Sequence, residues 1–190
     1  LLILGAGLAV AFGAAIGLQR YLATPLAVPT AGYVLEVRPG DSLATVARRL
    51  AADGVVASPT LLAWWGRWSG QAGRIRAGEY ALAPGLRPAE LLDRLVAGDV
   101  LLHAVTLVEG RSVRDILATL RATPALAPTL RATDATELAA ELGLPRPSAE
   151  GWFFPDTYRF PRGTPDRDIL RQAHAAMERE LAAAWAARAP

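Results

Sequence analysis

The first eighteen residues, Leu1 to Leu18, carry no charged side chain. A run of this kind has few stable destinations, because uncharged apolar side chains must be covered by protein or by lipid. A bilayer-spanning helix needs roughly 20 such residues. The flank Gln19-Arg20-Tyr21 has the polar, cationic and aromatic character of a membrane interface. A cleaved signal peptide has a shorter apolar core and a small-x-small exit. A soluble core helix shows a polar face, and this segment shows none. Gly5-Ala6-Gly7 resembles the start of a nucleotide-binding loop, but Val10 stands where the third glycine belongs. The pattern therefore predicts a transmembrane anchor over 1–21, followed by a linker over 22–32 marked by Pro25 and Pro29.

The remaining residues suffice for one ordinary domain or two small ones. There is no Cys, so disulfides and thiolate chemistry are excluded. All 20 basic residues are Arg, and they are scattered rather than clustered. A nucleic-acid surface shows a basic stripe with interleaved aromatics, so no nucleic-acid partner is expected. His103 and His174 are the only two histidines and have no visible partner set, so no metal site is expected.

Beyond the linker the chain alternates strand and helix signals. Tyr33–Val37 reads as a strand ahead of the Pro39-Gly40 turn. Ser42 caps a helix with the stripe Leu43, Val46, Ala47 and Leu50, closed by Gly54. Ser58-Pro59 opens a second helix with the stripe Leu61, Leu62, Trp65 and Trp68. Arg74–Leu82 reads as a return strand, and Pro88 opens a third helix that buries Leu91, Leu92, Leu95 and Val96. His103–Val108 is a further strand. A helix then buries Val113, Ile116, Leu117 and Leu120, and residues 123–133 read as a loop. Thr136–Leu142 is a short helix closed by Gly143. Thr164-Pro165 opens a long final helix that buries Ile169, Ala173, Met177, Leu181 and Trp185. The class is α+β.

The strand–helix–helix–strand order resembles a LysM-like glycan-binding module over 33–101. The residues that carry it are Val37-Arg38-Pro39-Gly40-Asp41-Ser42-Leu43, then Val46-Ala47. Gly40-Asp41-Ser42-Leu43 also spells an esterase nucleophile motif. That mechanism needs a base histidine with an aspartate three residues before it, and residue 171 is Arg. Ser42 is better explained as a helix cap. Trp65 and Trp68 share the helical spacing of Leu61 and read as core, whereas Trp64 points elsewhere and is the better ligand candidate.

The densest chemistry lies in Glu150-Gly151-Trp152-Phe153-Phe154-Pro155-Asp156-Thr157-Tyr158. A carboxyl group beside aromatic rings loses hydration, and desolvation raises its pKa. A carboxyl held protonated near neutral pH can act as a general acid. The competing reading is a loop glutamate beside ordinary core aromatics. A two-carboxylate glycosidase needs a partner at a defined separation, and no neighbouring acid matches Glu150 in rank. Asp156, Thr157 and Tyr158 can orient Glu150 or contact sugar hydroxyls. They can equally form an Asx-type turn with Tyr158 in the core. Glu109 can face the same cleft or cap the helix that follows, and the cap is favoured.

Glu150-Gly151-x-x-x-Pro155-Asp156-Thr157-Tyr158 resembles the signature of the endolytic transglycosylase family MltG (YceG-like). Val108-Glu109-Gly110 resembles that family's Pro-Glu-Gly turn, with Val in place of Pro. The resemblance implies an anchor, a LysM-like module and, over 102–190, the N-terminal part of a YceG-like α+β catalytic domain. Members continue well past the point matching Pro190, so this portion alone is expected to be weak or inactive. The implied reaction is cleavage of the MurNAc–GlcNAc bond within nascent peptidoglycan strands, leaving 1,6-anhydroMurNAc ends. Glu150 maps onto the catalytic acid/base, and Asp156, Thr157, Tyr158 and Glu109 are candidate substrate contacts. The resemblance implies no cofactor, glycan strands as substrate, and work alongside peptidoglycan synthases. It also implies a single-pass location at the bacterial inner membrane, with the catalytic part outside the cytoplasm. An anchored, non-catalytic glycan-binding or scaffold protein is the alternative.

Overall fold

The computed structural model describes residues 2–188, with side chains at 12, 13 and 15–188. The chain divides into two compact units, Leu1–Leu101 and Leu102–Pro190.

The first unit contains helix α1 (Leu2–Ala23), strand β1 (Tyr33–Val37), helices α2 (Leu43–Ala52) and α3 (Pro59–Trp68), strand β2 (Gly78–Leu82) and helix α4 (Pro88–Ala97). β1 and β2 pair antiparallel, with Leu35 opposite Tyr80 and Tyr33 opposite Leu82. Alternation sends Leu35, Val37, Tyr80 and Leu82 into the core, where they meet Val46 and Leu50 of α2, Leu62 of α3 and Leu91, Leu92 and Leu95 of α4. Tyr80 keeps its polar tip satisfied there. Its hydroxyl donates to the Arg76 carbonyl at 2.7 Å, and burial pushes the phenol above its ordinary pKa.

Ser42 caps α2 by accepting from the Thr45 amide at 3.2 Å. Beside it, the Arg38 amide donates to the Asp41 carboxylate at 3.0 Å, and Arg49 reaches the same oxygen at 3.0 Å. The Arg38 amide and then Arg49 hold the Asp41 carboxyl below its usual range. The Gly-Asp-Ser-Leu segment is thus a capped helix start, held by backbone and an ion pair.

Among the described residues no helix is long and apolar enough to cross a membrane. This overturns the anchor expected over 1–21, and with it the single-pass placement at the inner membrane and the extracytoplasmic orientation. Leu1 and the side chains of residues 2–11 and 14, on which much of that expectation rested, lie outside the described residues. The described end of α1 turns toward protein. The Tyr21 ring packs against the first core, and its hydroxyl donates to the Ser58 carbonyl at 3.0 Å. Burial there pushes the Tyr21 phenol up to about 12.

The second unit contains β3 (Leu102–Thr106), α5 (Val113–Arg121), β4 (Leu126–Ala127), α6 (Ala135–Leu142), β5 (Thr157–Pro161), β6 (Thr164–Pro165) and α7 (Asp166–Ala186). β3 and β5 pair antiparallel, with Val105 opposite Tyr158 and Thr106 opposite Thr157. A short parallel bridge joins β4 to β6. Val105, Leu117, Leu120, Leu138, Phe160, Ile169 and Leu170 form the centre of the second core. Asp166, at the start of α7, is the one buried charged residue among those described, at 2% exposure. Its carboxylate accepts from the Thr129 amide at 2.9 Å, the Thr129 hydroxyl at 2.6 Å and the Leu130 amide at 3.1 Å. The segment read as a plain loop is therefore pinned.

Two helices depart from their expected stripes. In α3, Trp68 is 70% exposed, because Gly66 and Leu62 turn the buried face toward α2. In α7, burial stops at Ala173, and Leu181 and Trp185 are exposed.

Helices α2 and α3 approach closely because Gly66 has no side chain. A Cβ there would lie 2.1 Å from Cδ2 of buried Leu43. Gly66→Ala is therefore expected to cost about 1–3 kcal/mol, read as a lower thermal midpoint. The loss is expected to shrink in a Leu43→Ala background, where the colliding atom is gone. Equal losses in both backgrounds would remove this contact as the cause.

Candidate active site

Two Glu-Gly turns of the second unit face one cleft. Glu109-Gly110 connects β3 to α5, and Glu150-Gly151 follows the proline-rich loop after α6. Gly110 and Gly151 have φ of 72° and 77°, in the left-handed region that L side chains rarely adopt. A Cβ at either would meet nothing within 4 Å, so the requirement for glycine is conformational rather than steric.

Helix α5 supplies the other wall. Ser112 is its N-cap, accepting from the Asp115 amide at 3.3 Å while the Ser112 amide donates back to the Asp115 carboxylate at 3.2 Å. This reciprocal capping box fixes the first turn. The Ser112 hydroxyl, at 2.8 Å, and then its amide hold the Asp115 carboxyl below its usual range. The first helical amide, Val113 N–H, is left free of the box. It donates to both oxygens of Glu150, at 3.0 and 3.2 Å. The carboxylate thus sits at the positive end of a helix. The Glu150 amide in turn donates to the Ser148 hydroxyl at 3.2 Å, so the residue is tied on both sides of its Cα.

The cleft has a volume of about 430 Å³, and its wall includes Glu109, Arg111, Glu150, Phe153, Pro155 and Met177. A second hollow of about 310 Å³, lined by Arg114, Asp134 and Ala135, shares Ser112, Val113 and Glu150 with the first. Glu150 therefore stands where two hollows meet, exposed to solvent.

The expected aromatic enclosure of Glu150 is not what forms. Phe153 is core and reaches the cleft wall. The Trp152 ring instead receives the Arg146 guanidinium at 3.5 Å and lies 6.2 Å from the His174 ring. The Phe154 amide donates to the Ala173 carbonyl at 3.0 Å, which fastens the motif to α7. The carboxyl group is positioned by a backbone amide and not by apolar rings.

The other candidate residues divide. Glu109 lines the cleft together with Glu150. The cap expected of it is supplied by Ser112, three residues later. Asp156, Thr157 and Tyr158 lie outside the cleft lining, Asp156 directly before β5 and Thr157 and Tyr158 at its start. The Asp156 carbonyl accepts from the Leu107 amide at 2.9 Å, and its carboxylate accepts from the Thr157 amide at 2.6 Å. The Thr157 and Thr106 hydroxyls are 2.8 Å apart across the strand pair. Tyr158 is buried; its hydroxyl donates to the Phe154 carbonyl at 2.7 Å, and burial pushes its phenol up. These three residues brace the turn that carries Glu150. Arg111 and Met177 are cleft residues that the sequence reading passed over. The spacing Ser112-x-x-Asp115 was the available signal for the helix start.

A model of the YceG-like family matches residues 35–190. No curated protein matches the chain. Among solved structures, a yceG-like protein from Listeria monocytogenes is 17% identical with a TM-score of 0.41, covering 81% of this chain and 56% of that one. The chain thus spans little more than half the length of that protein.

Because Ser112 sets where the Val113 amide points, Ser112→Ala is expected to cost about 1 kcal/mol, measured by urea unfolding. Ser112→Asp, which keeps a capping oxygen, is expected to retain most of that stability.

Proposed function

Because the chain belongs to the YceG-like family, known in general as a transglycosylase family, we propose that it carries the acid/base residue of a lytic transglycosylase. The substrate is a peptidoglycan strand, cut internally at the MurNAc–GlcNAc β-1,4 bond. The observation that carries this reading is the placement of Glu150, solvent-accessible at the junction of two hollows and held by the Val113 amide. A polymer needs room on both sides of the bond being broken, and a residue at such a junction has it.

Glu150 first gives its proton to the O4 atom of the leaving GlcNAc, and the C1–O4 bond of MurNAc breaks. The carboxylate left behind faces the Val113 amide and the N-terminal end of α5, which favour negative charge. That carboxylate then takes the proton of the MurNAc C6 hydroxyl as its oxygen bonds to C1. The product is a 1,6-anhydro ring, Glu150 is protonated again, and no water is consumed. One residue alternates as acid and base. Arg111 and Glu109, on the same wall, are the groups available to hold the sugar. Asp156, Thr157 and Tyr158 act on the reaction as braces of the Glu150 turn. Release of a strand end in this way would limit or terminate elongation of new glycan, alongside the synthases that polymerise it.

A hydrolytic reading draws on one specific feature, the presence of Glu109 in the same cleft as Glu150. A second carboxylate could activate water and leave a reducing end instead. The two outcomes differ by one water in product mass.

Purified peptidoglycan digested by the protein carrying this chain is expected to yield anhydro ends by mass spectrometry. Glu150→Gln keeps the shape of the side chain and removes the transferable proton. It is expected to lower the rate by about 10²–10⁴. Anhydro ends formed by the Gln variant at the unaltered rate would sink the assignment, and reducing ends in their place would select hydrolysis.

A further inference from the structure

A third hollow, of about 340 Å³, adjoins the Glu150 cleft in the second unit. It shares Leu107, Val108, Arg111 and Ile116 with the cleft, and no residue with the hollow at Asp134. Its size lies at the lower end of ligand pockets, which run from about 300 to 1,000 Å³. A strand that passes Glu150 through the first two hollows leaves this one unfilled.

The charged groups of the third hollow are of both signs. Arg111 stands where it meets the cleft, and Asp115 belongs to it alone of the two. Among the described residues, the Arg111 side chain makes no hydrogen bond or close ion pair. The Asp115 carboxylate is only half used. Both Ser112 bonds fall on its Oδ2, and its Oδ1 has no partner among the described residues. The Ser112 hydroxyl and amide, and then Arg111 through space, hold this carboxyl below its usual range, so it is charged at neutral pH. Thr119, four residues on, lies on the same face of α5. Its hydroxyl donates to the Asp115 carbonyl at 2.9 Å, which leaves its lone pairs open to a donor. Val108, 54% exposed, and Ile116 add apolar surface.

This pattern selects among ligands. A pyranose ring is neutral, and it gains little from a guanidinium and an open carboxylate in one hollow. A short peptide with a carboxylate and an amine offers a charge-assisted partner to each. A peptidoglycan strand carries such peptides as branches on the lactyl group of MurNAc. We infer that the hollow of Arg111, Asp115 and Thr119 seats the peptide branch of the strand, Arg111 meeting a carboxylate and Asp115 an amine. The second unit thereby distinguishes glycan that still bears peptides from glycan stripped of them. This rests on the proposed function, because the strand at Glu150 is what brings the branch to the hollow.

The test is a binding measurement on the whole protein carrying this chain, with Glu150→Gln so that cleavage plays no part. Two probes are used: soluble four-sugar peptidoglycan fragments with their peptides, and the same fragments stripped by an amidase. The peptide-bearing fragment is expected to bind tighter by about tenfold or more, the scale of one hydrogen bond to a charged group. That advantage is expected to shrink as salt is raised. Ala118 is exposed on α5 and lines the hollow, so Ala118→Trp fills it from a position that packs nothing. It is expected to abolish the advantage and leave the stripped fragment bound as before. Arg111→Gln provides a second variant, read only as the ratio between the two fragments, which is expected to fall. Melting temperatures of both variants separate a binding loss from unfolding. Equal binding of the two fragments by the parent would overturn the site. So would folded variants that keep the full advantage. If Ala118→Trp weakens both fragments alike, the hollow holds a sugar and the peptide assignment is wrong. The cleavage reading fails separately, if anhydro ends form without the Glu150 carboxyl.

Discussion

Every α-helix leaves its first amides without partners inside the helix, and in α5 the first of them meets a carboxylate 37 residues further along the chain. That contact joins the two Glu-Gly turns into a single cleft. It depends on the capping box, since Ser112 and Asp115 consume one another's donors and leave Val113 N–H for Glu150. It depends equally on the glycine conformation at residue 151, which turns the chain directly after the carboxylate. On the far side, the bond from Phe154 to Ala173, the bond from Leu107 to Asp156 and the pairing of β5 hold the motif against α7 and β3. The catalytic reading of Glu150 thus rests on a scaffold of backbone hydrogen bonds more than on its side-chain neighbours.

The parts of the fold that could be read in advance were those with local causes. Ser42 and Ser58 cap the helices they precede, and the stripe Leu43, Val46, Ala47 and Leu50 is buried as its spacing requires. Gly98 and Gly143 close α4 and α6 in left-handed conformations. The readings that failed involve partners far away in sequence. No strand was read over Thr157–Pro161, because its strand character comes from pairing with Leu102–Thr106. Residues 123–133 form the loop that was read there apart from Leu126–Ala127, but its anchoring was not legible, because the carboxylate that orders Thr129 and Leu130 belongs to Asp166. Trp68 shared the spacing of a core residue, but a helical stripe is wider than the face that a small neighbour such as Gly66 can bury.

The candidate site shows the same division. Glu150 was evident from its motif, whereas the group that holds it is a main-chain amide, which no side-chain pattern can announce. The aromatic residues around it suggested a desolvated carboxyl. Instead Trp152 pairs with Arg146, and Phe153 belongs chiefly to the core. Glu109 was a candidate for the cleft or for helix capping, and capping was favoured because it stands close before α5. The helix begins three residues later, at the Ser112 box, and Glu109 is thereby released to the cleft wall.

Helix α7 has a consequence of its own. It runs for 21 residues, yet its buried positions all fall between Asp166 and Ala173. Past that point its order rests on alanine-rich helix propensity and on local pairs such as His174 with Glu178 at 3.7 Å. One rod therefore contains two stabilities. Amide hydrogens near Ile169 and Leu170 should open only with the unit as a whole, whereas those near Trp185 should exchange by fraying from the end. The boundary between the two regimes lies beside Ala173, where Phe154 is bonded, so the Glu150 turn is fastened to the slow-exchanging half.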